Sequence, residues 1–295
     1  MTLTVFILVA CSASLHVFWN TFVKTSGDKV SFAWLSVVVA VAVLVPPFAV
    51  SRLMAPGALS GEIVALAALT GLFQAAYIIM LFLAYGHADL SVAYPLSRGV
   101  APLVALPLAG VLLGDAVTVQ HGLAVMVVVA GVAAVTVSAW ITAPHRATLS
   151  GAGLALAAGC MIAGYHLVDR RAMTLAAAPS PLEYLFLVRC FLCLFVSAWV
   201  GSSAGRRARA FAEWPRNKVG ILIAGIGITL AYFLIVVALR RGNVTYIAAG
   251  RNIGIVISTA VGALFLKERV CWKRALGAAL IAAGVVGLVL LRNGS

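Results

Sequence analysis

Apolar residues run in blocks of roughly twenty, separated by short polar connections, along this 295-residue chain. Ten such blocks occur, at 3–23, 30–50, 62–86, 90–113, 118–140, 151–168, 181–201, 219–239, 243–266 and 274–291. A helix rising ~1.5 Å per residue needs ~20 apolar residues to cross a ~30 Å hydrocarbon core, so each block predicts a spanning helix. The long polar connection lies between Gly201 and Val219. The pattern predicts an all-α integral membrane protein of ten transmembrane helices with no separate soluble domain. The first block lacks a basic leader, and His16, Trp19 and Asn20 carry it onward. It is therefore expected as a retained helix and not a cleaved signal.

The second half of the pattern repeats the first. With a shift of 153, Asp89–Val132 falls on Gly242–Val285: Arg98 meets Arg251, Asp115 meets Glu268, and Ala130-Gly131-Val132 meets Ala283-Gly284-Val285. With a shift of 150, His16 meets His166. Apolar helices match by chance, but polar positions in register do not. The expected organisation is one membrane bundle made of two five-helix units, 1–142 and 143–295. Five is odd, so the units must enter the membrane in opposite directions, an inverted repeat whose site is expected near the midplane.

Composition sharpens this picture. The chain is 63% hydrophobic and 10% charged, against about 25% charged in a soluble domain, which excludes a large soluble core. Its net charge of +13 belongs to membrane-facing loops, and no nucleic-acid module is present. Of 21 Lys and Arg, three are Arg98, Arg189 and Arg251, each inside an apolar block. The others divide as 6 on the face of the termini and 12 on the opposite face, a split that predicts external termini. The five cysteines show no disulfide or metal framework, and Cys190-x-x-Cys193 is expected to pack within one helix. No cofactor, metal spacing or nucleophile–base pair is indicated, so an enzyme is not expected.

The pair of five-helix units resembles the drug/metabolite transporter superfamily, specifically its ten-helix carriers built from two EamA-type repeats. The likeness is carried by acidic residues closing the fourth and ninth blocks (Asp115 in Leu-Gly-Asp, Glu268 in Leu-Lys-Glu-Arg) and by glycine-rich fifth and tenth blocks. Leu15-His16-Val17-Phe18-Trp19-Asn20, followed by Lys24, is similar to the first-helix pattern of one EamA subgroup. The resemblance implies secondary transport of small metabolites, often export, through a central cavity, with cytoplasmic termini. It disfavours export of lipophilic cations, because the first helix lacks the acidic anchor of the small multidrug members.

A charge at the bilayer centre costs at least ~2.5–3.5 kcal/mol, so an intramembrane arginine needs a partner or a cavity. Arg98 and Arg251 each lie eight residues into their blocks, roughly 12 Å deep. Their planar forks suit carboxylate, phosphonate or phosphate oxygens, although helix-end carbonyls would also satisfy them. Arg189 is expected to join the cavity, to snorkel, or to pair with Glu183 or Asp169. Tyr94 and Tyr246, shortly before the paired arginines, and Tyr77 and Tyr232 are expected on the cavity wall. Trp19, Asn20, Gln74 and Asn252 either line it or bind helices together. His16 and His166 are the proton-coupling candidates, or else tie two helices together by a hydrogen bond. Lys24 and Asp169 are expected to snorkel at helix ends. Asp115 and Glu268 are expected to pair at the interface with Lys267, Arg269, His121 or Arg274. Gly277, Gly284 and Gly287 serve either a dimer or internal packing, so monomer and homodimer both remain open. The function expected is alternating-access transport of a small anionic or zwitterionic metabolite in a bacterial inner (plasma) membrane, with cationic-drug export or an anion channel as alternatives.

Overall fold

A computed structural model describes residues 1–24, 26–54, 59–88, 90–142, 148–264 and 271–291. The described residues form an all-helical bundle. Its helices are α1 Leu3–Lys24, α2 Lys29–Met54, α3 Gly61–Tyr85, α4 Leu90–Leu113, α5 Val119–Thr142, α6 Leu149–Thr174, α7 Pro181–Gly201, α8 Ala204–Arg241, α9 Val244–Gly250, α10 Ile253–Leu264 and α11 Trp272–Leu290. Among the described residues nine helices are long and apolar enough to cross a membrane. Several starts are set locally. Ser60 and Thr148 accept from the backbone N–H three residues on, and Ser180 and Glu183 form a reciprocal capping box ahead of Pro181. Lys24 has its side chain outside the described residues.

Two elements differ from the pattern. The ninth block was expected as one helix but divides at Arg251–Asn252. There Asn252 N–H donates to Ala249 O at 3.0 Å and Gly254 N–H to Arg251 O at 3.2 Å. These i→i+3 bonds replace the α-helical ladder, and Gly250 and Gly254 on either side weaken commitment to a straight helix. The connection after Gly201 is itself helical: α8 kinks at Asn217 (φ −133°, ψ 23°), two residues after Pro215. Proline removes an N–H and clashes with the carbonyl four residues back, so two helices meet there. The cation-rich arm before the kink docks through Glu213, which accepts from Gly27 N–H (3.2 Å), Asp28 N–H (3.0 Å) and Asn217 Nδ2 (2.5 Å).

Helices of residues 1–142 pack chiefly on those that follow: α5 on α11, α3 and α4 on α6, α1 and α2 on α8, and α2 and α3 on α7. The α5–α11 seam is backbone to backbone. A Cβ at Gly131 would lie 2.7 Å from Gly277 O, and one at Gly284 would lie 2.8 Å from Ala124 O. Gly277 and Gly284 therefore serve packing inside the chain. At the end of the bundle where the termini lie, Arg170 grips Asp115 through Nη2–Oδ1 (3.0 Å) and Nε–Oδ2 (3.2 Å), and donates to Leu239 O at 2.7 Å. Asp115 also accepts from Val244 N–H at 3.3 Å. Asp115 was expected to pair with Lys267, Arg269, His121 or Arg274; among the described residues its cation is Arg170 of α6. Glu268, Lys267 and Arg269 lie outside the described residues. Beneath this junction a cavity of about 290 Å³ is lined by residues including Val5, Asp115, Arg170, Asn243 and Tyr246.

Candidate functional site

The three intramembrane arginines converge. Arg98, Arg189 and Arg251 are 8%, 2% and 5% exposed, and His16 lies within electrostatic range of all three. Each is held differently. Arg98 on α4 has its guanidinium 5.0 Å from the ring centroid of Tyr94, one turn earlier on its own helix. Arg251, in the turn between α9 and α10, donates through Nη1 to His166 Nε2 at 2.5 Å and, more loosely, to Tyr165 OH at 3.4 Å. Arg189 on α7 donates to Gln74 Oε1 at 3.2 Å and to Ile228 O at 3.3 Å, and lies 4.9 Å from the Tyr232 ring centroid. Among the described residues none of the three makes an ion pair. A guanidinium clamped by carboxylates is neutralised; one resting on aromatic faces and neutral acceptors keeps its charge for another anion.

The surroundings are polar and incompletely bonded. Arg98 Nε, Arg189 Nε, His16 Nδ1, Trp19 Nε1, Gln74 Nε2, His166 Nδ1 and Asn252 Oδ1 are buried without a hydrogen-bond partner among the described residues. An unpaired buried polar atom costs about 1–3 kcal/mol, so gathering so many about one set of cations opposes stability. Such an arrangement is suited to a polar ligand. Because Arg251 donates to His166 Nε2, that nitrogen is an acceptor and His166 is neutral with its proton on Nδ1. His16 packs edge-on to Trp19 at 5.1 Å. Tyr165 links the parts, 6.2 Å from the Tyr77 ring, 6.0 Å from Tyr232 and 4.6 Å from His166.

The structure thus gathers Arg98, Arg189, Arg251, His16, His166, Trp19, Tyr77, Tyr94 and Tyr232, with Asn252 beside Arg251 in the turn. Asn20 is half-buried one residue past Trp19. Tyr246 does not join them: its ring stacks on His121 at 4.7 Å and lines the peripheral cavity instead. Five residues of helix rotate a side chain by about 140°, so Tyr246 and Arg251 face apart, whereas Tyr94 and Arg98, four apart, share a face. Tyr165 escaped the sequence reading because it sits in an ordinary apolar stretch.

Asp169 was expected to snorkel and is instead fully buried. Its Oδ1 accepts from Thr70 Oγ1 and Tyr184 OH, both at 2.8 Å, and its Oδ2 accepts from Tyr232 OH. Arg189 therefore does not contact it, and Glu183, the other partner considered, pairs with Arg52 at 3.1 Å. Three hydroxyls from three helices replace the water that a snorkelling carboxylate would have sought.

Residues 149–290 match the EamA-like transporter family model. That half of the chain is similar to the EamA-like transporters, which supports the drug/metabolite transporter superfamily. A solved crystal structure aligns with it over 100% of both chains at a TM-score of 0.72 and 18% identity, a likeness of fold. A search of curated proteins gives no match. An EamA-like chain with this bundle is a multi-pass membrane transporter of small molecules.

Proposed function

We propose that this EamA-like protein is a secondary carrier of a small anionic or zwitterionic metabolite (an amino acid, an organic acid, or a phosphonate or phosphate ester) working by alternating access. The observation that carries this reading is the cluster of Arg98, Arg189 and Arg251, buried together, charged, and bound to aromatic faces and neutral acceptors rather than to carboxylates. Arg98 and Arg251 carry the ligand clamp in this reading. The Tyr77, Tyr94, Tyr165 and Tyr232 rings wall it, and Trp19, Asn20 and Asn252 add polar contacts.

Alternation requires two halves that can exchange roles, and we read 1–142 and 143–295 as inverted repeats. Paired contacts support this. Gly71 of α3 closes on Phe191 and Leu192 of α7, while Gly225 of α8 closes on Val39 of α2. Likewise Gly159 of α6 meets Val100 of α4, and Gly250 of α9 meets Val9 of α1. Each pair maps onto the other when the halves are exchanged.

The test is a thermal-shift screen of the purified protein against anionic, zwitterionic and cationic metabolites, followed by proteoliposome uptake of the stabilising compound. Stabilisation by an anion or zwitterion, lost with Arg98→Gln or Arg251→Gln while the protein still folds, is the expected result. Stabilisation by lipophilic cations alone, or full transport in a folded double variant, would overturn the proposal.

A further inference from the structure

Buried carboxylates in membrane helices are costly and functional unless satisfied, and Asp169 is satisfied in an instructive way. Its donors come from three different helices: Thr70 from α3, Tyr184 from α7 and Tyr232 from α8. Arg189, also on α7, acts on it at electrostatic range without contact. On its own helix Arg170 turns to Asp115 and Arg171 to Glu62, while His166 turns to Arg251. Tyr232 is the shared element. Its hydroxyl donates to Asp169, and its ring lies beneath the Arg189 guanidinium.

We propose that Asp169 is a proton-binding site coupled through Tyr232 and Arg189 to the central arginine cluster. The inference rests on the carrier reading given above. Three hydroxyl donors fit an ionised carboxylate, which only accepts. A proton arriving at Asp169 Oδ2 forms a new O–H that must donate, so the Tyr232 hydroxyl becomes its acceptor and turns its own proton elsewhere. The same proton removes the negative charge that faces the Arg189 guanidinium. Both changes make the cluster a better host for an anion. By linkage an anion held there strengthens proton binding by the same factor, about 5- to 150-fold for ordinary couplings between sites. The carrier would then take up a proton and an anion together.

The test needs no identified substrate. Infrared difference spectra of the full chain in liposomes are recorded between about pH 4 and pH 9, the range in which buried carboxyls titrate. A protonated-carboxyl band that titrates in the wild type, vanishes in Asp169→Asn and changes frequency in Tyr232→Phe is expected. Arg189→Gln should move its midpoint. A wild-type band that is absent, or that persists unchanged in Asp169→Asn, would overturn the site. An unmoved midpoint in Arg189→Gln would overturn the coupling. Tyr232→Phe keeps the ring and tests the contact should Asp169→Asn not fold. The band should survive in Arg98→Gln/Arg251→Gln, so failure of the anion clamp is distinguishable from failure of this site.

Discussion

Replacing Arg170 by glutamine removes three bonds at the termini end of the bundle, two to Asp115 and one to Leu239 O. The pair joins α6 to the loop after α4 and, through Val244, to the start of α9. Alternating access would require it to part whenever that end opens. Its side chains are 16% and 12% exposed, so it lies between surface pairs worth ~0.2–1 kcal/mol and buried pairs costing ~3–5 kcal/mol to break. A value of about 2 kcal/mol is appropriate, equal to a shift of about 30-fold in the closed-to-open ratio. Val5, buried in the cavity wall beneath the pair, is a suitable reporter. With the five native cysteines replaced, Val5→Cys should react with an impermeant maleimide about 30-fold faster in Arg170→Gln. Asp115→Asn should behave alike, and the double variant should add little to either single one. Equal rates in all variants, or fully additive effects, would refute the reasoning.

Other consequences are quick to check. Gly277→Ala places a methyl 2.7 Å from Val135 Cγ2 and 2.8 Å from Gly131 O, so overpacking of ~1–3 kcal/mol should outweigh the ~1 kcal/mol gain in helix propensity and lower Tm. Gly287→Ala, whose methyl would meet Ala124 Cβ at 3.5 Å, should leave Tm unchanged or higher. Glu213→Gln keeps one oxygen and sets its amide N–H₂ against one of the two backbone N–H donors. It should cost ~1–3 kcal/mol, seen as faster hydrogen exchange at Gly27 and Asp28. The hydrogen bond from Ser138, with the nearby Arg274 and Lys273 backbone, holds the exposed Cys271 thiol below its ordinary pKa of 9.0. Its alkylation should therefore set in at lower pH than for a free thiol, and Ser138→Ala should shift that onset upward.

How much of this could be read in advance depended on whether the signal was local. Apolar blocks specify their own helices because lipid leaves the backbone no other partner. Arg98, Arg189 and Arg251 stood out because a cation inside such a block is costly and needs a partner or a cavity. The division at Arg251 was harder: Gly250 and Gly254 permit it, but glycine is equally at home in close packing. Asp169 was misread because Asp-Arg-Arg at the end of a block looks interfacial, and the hydroxyls that bury it come from three other helices. Tyr246 was misplaced because depth was counted without rotation about the helix axis.

The pairing of early helices with late ones also dictates how the molecule is made. Trp19 packs against Gly227, 208 residues further along the chain. At ~5–20 residues per second, α1 waits about 10–40 s on the ribosome before its partner is synthesised. During that interval Arg98 enters the bilayer before Arg251 or His166 exists. Its aromatic companion, Tyr94, lies one turn earlier on the same helix, so the two enter the bilayer together. The first half is thus a nascent chain stored in lipid with its own arginine paired in cis.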